Sequence, residues 1–227
     1  MLRKLHGLRI GFVALLLAVS VTSCSAERTA EPIVAQHSSG IVPDDTLEDL
    51  VTYGDLAVVF TVVSEQELAP TQVELERGEG TITRQVTARQ TSAPLWERPS
   101  WSDPVDPPTE WQIADGGWVF NGSERRRIVD ADRSDPLEVG HTYVAIRTYS
   151  SVGGKPREWF SLQRIPLDDG RVRFSEGTLA SLDPTLARLQ GMTDKAVGLR
   201  LTATPPNVKA LPYMELDAAE RFQRVVS

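Results

Sequence analysis

The chain has 227 residues, 24 of them basic and 31 acidic, for a formal charge of −7, with 7% aromatic residues and a single cysteine. That length accommodates one globular domain with a real core more naturally than the two lobes of a hinge-closing substrate-binding subunit. The acidic balance argues against a nucleic-acid groove or an anionic-lipid surface as the main partner, and one cysteine excludes an internal disulfide.

The N-terminus carries Arg3, Lys4 and Arg9, no acid before Cys24, and an almost wholly apolar run from Ile10 to Val21. This is a positive n-region followed by an h-region. The run supplies 12 residues, whereas a membrane-spanning helix needs about 20. It therefore reads as an export signal over residues 1–23. Val21-Thr22-Ser23-Cys24 follows, an aliphatic residue, two small or β-branched ones and then Cys.

That sequence resembles the lipobox of bacterial lipoproteins, with Val where Leu is commoner. The resemblance covers the first 24 residues and implies a diacylglycerol on the Cys24 sulfur, cleavage before it and acylation of the new amino group. Each buried methylene contributes about 0.8 kcal/mol, and two or more chains make attachment durable. An ordinary secretory signal cut near Ala26, or an uncleaved signal anchor, is the alternative reading. Without the first 23 residues, 21 basic residues face 31 acidic ones, a formal charge of −10.

Residues 24–45 are poor in aromatics and lack periodicity, and read as a flexible tether with a span of about 25 Å. Residues 46–227 then form a single β-rich domain. Thr46 is an N-cap for a short helix ended by Gly54. Leu56 to Val63 is apolar on both alternating faces and predicts a central strand. Thr81 to Thr91 alternates as a half-buried strand. Asp115-Gly116-Gly117 and Asn121-Gly122 read as turns around Trp118-Val119-Phe120, and Arg125-Arg126-Arg127 as a solvated loop.

His141 to Tyr149 places Thr142, Val144, Ile146 and Thr148 on one face and Tyr143, Ala145, Arg147 and Tyr149 on the other. Trp159 to Ile165 and Arg171 to Phe174 are strands joined through Asp169-Gly170, a pair that tolerates positive φ. Asp183-Pro184 opens a short helix. Residues 193–204 suit either helix, which Gly198 weakens, or strand. Glu215 to Val226 is spaced at helical period.

Strands first and helices afterwards predict an α+β fold. Short antiparallel strands gain from closure, so the expected architecture is a small OB-like barrel or meander of about five or six strands with short C-terminal helices. Leu56–Val63, Val86–Trp96 and Gly140–Val144 carry a resemblance to OB-like barrel domains of uncharacterised actinomycete-type exported proteins.

Chemistry is sparsely marked. Trp96, Trp101 and Trp111 sit among Pro94, Pro99, Pro104, Pro107 and Pro108, and indoles on a stiff, extended segment suit sugars or peptides. The alternative is that they anchor a Pro-rich crossing. His141 is the one histidine of the folded domain available as a general base, without a G-x-S-x-G elbow. Nothing in the sequence predicts a metal site or a cofactor. The expectation is a lipoprotein held at the outer face of the cell membrane through Cys24, non-catalytic, binding a glycan, peptide or envelope protein and no nucleic acid. An extracellular hydrolase using His141 or unidentified acids is the second reading.

Overall fold

In the computed structural model, residues 33–36, 42–99, 105–130, 136–151 and 156–227 are described. Residues 1–23, Cys24 and Trp101 lie outside the described residues.

Among the described residues, nine strands make one sheet. They are β1 (Ile33–Gln36), β2 (Leu56–Leu68), β3 (Glu79–Gln90), β4 (Trp96–Glu97), β5 (Glu110–Asn121), β6 (Glu124–Asp130), β7 (Thr142–Ser150), β8 (Glu158–Asp168) and β9 (Arg171–Val172). Their order is β1-β6-β5-β3-β2-β7-β8-β9, with β4 beside β2. Every pairing is antiparallel except β1 with β6. The helices are α1 (Leu47–Tyr53), α2 (Gln72–Arg77), α3 (Glu176–Ser181), α4 (Pro184–Ala187), α5 (Asp194–Ala203) and α6 (Ala218–Val226), with a 3-10 helix at Val208–Tyr213. None of the described helices is long and apolar enough to cross a membrane.

The α+β, strand-rich class is as expected, but the sheet is larger than five or six strands and its hydrogen-bonded path is open rather than closed into a barrel. Four residues in the segment read as a tether, Ile33–Gln36, form its outermost strand.

Local chemistry explains most of the elements. Thr46 caps α1 reciprocally: its hydroxyl accepts from the Asp49 N–H at 3.0 Å, and the Asp49 carboxylate accepts from the Thr46 N–H at 3.1 Å, satisfying two donors that the first turn leaves open. Asp169 and Gly170 take φ of 51° and 70° in the β8–β9 hairpin, the left-handed pair that such a turn demands.

Two local readings are corrected, and a third, open between helix and strand, is decided. Asp115-Gly116-Gly117 is not a turn but a bulge inside β5, where the pairing with β3 slips between Thr83 and Gln85. Gly117 has φ of 133°, and a Cβ there would lie 2.1 Å from the Ile82 carbonyl oxygen, so the chain needs glycine to keep the strands paired. Arg125–Arg127 lie on β6 rather than in a loop, with Arg125 stacked 4.6 Å over Trp118 and paired with Glu67 at 3.0 Å. Residues 194–203 are helical. Gly198 is there because a Cβ would meet the Leu95 carbonyl oxygen at 2.6 Å, which lets α5 approach the segment before β4.

The two faces of the sheet bury separate cores. On one, Ala57, Val59, Val144 and Ile146 pack against α1, α5 and α6 through Leu50, Val51, Leu201 and Phe222. On the other, Leu56, Val58, Phe60 and Val62 of β2 meet Val86, Ala88, Tyr143 and Ala145. The alternation read in β2 and β7 is the cause: a period of two sends neighbours to opposite faces.

Candidate functional site

The second core lies in a hollow. β5 and β8 are four steps apart in the sheet, about 19 Å if it were flat, which is more than an aspartate and an arginine together can span. Yet the Asp115 carboxylate on β5 accepts from Arg164 Nη1 on β8 at 2.7 Å. The sheet is therefore curled until β5 and β8 face each other, joined by side chains without a backbone ladder.

Asp115 is the centre of that seam. It also accepts from Arg84 Nη1 at 2.8 Å and from the Leu137 backbone N–H at 2.8 Å. Its side chain is 7% exposed. The N–H brings Leu137, fully buried, over one end of the hollow, and Tyr143 accepts from the Glu138 N–H at 2.8 Å beside it.

Towards the other end lies Arg147, 0% exposed. Its guanidinium carbon sits 4.0 Å from the centre of the Trp111 ring on β5 and 5.3 Å from that of Trp159 on β8. Such cation–π contacts are strongest when desolvated. Nη1 donates to the Pro108 carbonyl at 3.1 Å. Among the described residues, Nε and Nη2 have no hydrogen-bond partner, nor have Trp111 Nε1 and Ser161 Oγ. Ser161 stands directly opposite Arg147 in the β7–β8 register.

Burial pushes the Arg147 guanidinium down to about 10, and no carboxylate among the described residues offsets it; at neutral pH the group remains a cation. Between β5 and β8 the surface opens as a cleft of about 430 Å³, lined among others by Trp111, Ile113, Trp159, Ser161 and Arg164. That volume is within the range of about 300–1,000 Å³ typical of small-molecule sites.

The residues singled out from the sequence fare unequally. Trp111 borders the cleft, tilted against Phe60 with ring centres 5.3 Å apart. Trp96 is 8% exposed and belongs to the helix-side core on the opposite face of the sheet. The two indoles thus form no common platform. Trp96 also borders an apolar groove of about 800 Å³ with Pro94, Leu201 and Met214.

His141 is half exposed, with Glu138 at 3.3 Å and Asp168 at 3.6 Å. Two carboxylates flank it, and no hydroxyl among the described residues is bonded to it, so the geometry of an activated nucleophile is not assembled there. No group of three or more metal-ligating side chains occurs among the described residues. Arg147, Trp159 and Ser161 were missed as site residues. The available signal was a charge in the middle of β7, on the same face as Tyr143 and Ala145. Among known proteins, no family model, no curated protein and no solved structure matches this chain.

Proposed function

We propose that the chain is an envelope lipoprotein, tethered to the outer face of the cell membrane through lipid on Cys24, whose folded domain binds a small ligand without transforming it. The observation that carries the binding role is the β5–β8 cleft, where two indoles flank a space of about 430 Å³ and buried donors lie without partners. Flat apolar faces supply contact area and polar edges supply orientation, the usual division of labour in a ligand site. The seam formed by Asp115 with Arg84 and Arg164 supports the role by fixing the width of the cleft from both walls.

The anchor reading rests on the basic n-region, the short apolar run and Val21-Thr22-Ser23-Cys24. Metabolic labelling with a fatty acid tests it: wild type should incorporate label and Cys24→Ala should not, and equal labelling of the two refutes the lipid. Intrinsic tryptophan fluorescence of the full chain tests the binding role, since a cleft occupant must touch Trp111 or Trp159. The hydrolase reading draws no support from the surroundings of His141.

A further inference from the structure

We infer that the β5–β8 cleft takes a carboxylate-bearing ligand, held by the free edge of Arg147, which is fully buried directly behind the cleft-lining Trp111, Trp159 and Ser161 and is reached when these give way. This rests on the binding role proposed above and names the chemistry of its ligand. Three observations lead to it.

The first is the identity of the unpaired atoms. A guanidinium has five N–H donors in a rigid plane, and Nε with Nη2 is the edge whose two parallel N–H bonds match the two oxygens of a carboxylate. Those are the two nitrogens of Arg147 left without partners, while Nη1 is held by the Pro108 carbonyl. Trp111 and Trp159 flank the guanidinium, so that the edge remains the place for a hydrogen-bonding partner.

The second is the company that edge keeps. Trp111 Nε1 and Ser161 Oγ are buried and unpaired as well, one beside the guanidinium and the other directly opposite it across the β7–β8 ladder. An indole N–H can only donate, and a hydroxyl donates readily. A site made of two guanidinium donors, an indole donor and a hydroxyl calls for an acceptor-only group, which an ionised carboxylate is.

The third is charge. A buried cation is retained in folded proteins when it is paired, and among the described residues no carboxylate lies against Arg147. The acid that borders the cleft, Glu158, is exposed. A ligand anion supplies the missing half of the pair. The cleft volume, with aromatic walls, fits an acid of the size of an amino acid or a monosaccharide.

The full chain in detergent micelles, with the Arg147 Nε–H followed by nitrogen-15 NMR, provides the test. Acetate, acetamide, phosphate and sodium chloride are the probes. Acetate is expected to shift the signal saturably, with acetamide and chloride leaving it in place and phosphate binding more weakly than acetate. Trp111→Phe, which keeps a ring and removes the N–H, should weaken acetate binding about tenfold. Arg147→Lys keeps the charge but loses the fork and the Nε–H reporter; followed by tryptophan fluorescence instead, it should show no saturable response to acetate where wild type does.

Should Arg147→Lys fail to fold, the wild-type titration and Trp111→Phe still decide. Equal responses to acetate and acetamide, or tighter binding of phosphate, would overturn the carboxylate while leaving the cleft a binding site. Silence to all four probes, in both the Arg147 signal and tryptophan fluorescence, would overturn the carboxylate and the binding role together.

Discussion

Removing the Asp115 carboxylate is the sharpest test of how the hollow is held open at a fixed width. In Asp115→Ala, Arg164 loses its 2.7 Å partner, Arg84 loses one of three and keeps Glu65 and the Leu137 carbonyl, and the Leu137 N–H loses its acceptor. Breaking a buried pair from one side costs about 3–5 kcal/mol, because a charge is left uncompensated. Two features place the expected cost near the lower figure: Arg84 keeps Glu65, and the Arg164 side chain is 16% exposed, so both cations retain some relief.

For a chain of this size each kcal/mol moves Tm by about 2–4 °C, which gives a drop of roughly 6–12 °C. Thermal unfolding of the full chain followed by tryptophan fluorescence reads the drop, and urea unfolding reads the free-energy difference, since Trp111 and Trp159 lie along the same cleft as Arg164. Arg164→Met should cost less than Asp115→Ala, because it removes one ion pair and leaves Asp115 bonded to Arg84 and Leu137. If Asp115→Ala falls within about 1 kcal/mol of wild type, the value expected of an exposed ion pair, the seam carries no load and the curl has another cause.

Three further outcomes follow from the packing. Gly198→Ala should destabilise by about 1–3 kcal/mol through the clash with the Leu95 carbonyl, although alanine favours a helix by about 1 kcal/mol; a stabilised variant in thermal melts would refute the close approach. Arg221, fully buried, donates to the carbonyls of Thr52, Tyr213, Met214 and Leu216. Arg221→Met should speed amide exchange throughout α6, and protection unchanged from wild type would contradict that role. Asp217 accepts from the Glu220 N–H, Ser150 and Arg157; burial pushes its carboxyl up, but these bonds outweigh burial and hold it below the usual range. A depressed carboxyl contributes stability that is complete above about pH 4 and fades as pH falls through its folded value, so the gap between wild type and Asp217→Asn should shrink in acid; a gap independent of pH would count against it.

What the sequence made legible was what short-range chemistry decides. Thr46 with Asp49, Asp183 with Pro184 and Asp169 with Gly170 each fix a cap or turn within a few residues. The double-sided apolar run of β2 announced a strand buried on both faces. What escaped was set by distant neighbours. Asp115-Gly116-Gly117 has the positive φ of a turn, and nothing local distinguishes a turn from a bulge whose other strand lies some thirty residues earlier in the chain. Gly198 looked like a helix breaker because the Leu95 carbonyl that requires it is remote in sequence. The site escaped for the same reason. Trp111, Arg147 and Trp159 come from three strands, and only the curl brings the first to the other two.

A comparison of the buried arginines separates support from recognition. Arg221 spends all three of its nitrogens on backbone carbonyls, that of Thr52 at the end of α1 and those of Tyr213, Met214 and Leu216 before α6. Arg98, 5% exposed, is bound to Asp55 at 2.9 Å and to the Met214 carbonyl, and so fastens the segment after β4 to the base of β2 and to the turn before α6. Both have structural reasons to be buried, and their donors are matched by acceptors from the same chain. Arg147 makes one such bond and is otherwise enclosed by indoles. Replacing a buried ion with an apolar side chain of similar volume often stabilises a fold, so folding alone would favour methionine at this position. An arginine kept there, with its carboxylate-matching edge bare behind the indoles that line an open cleft, has the character of a binding group whose partner arrives from outside.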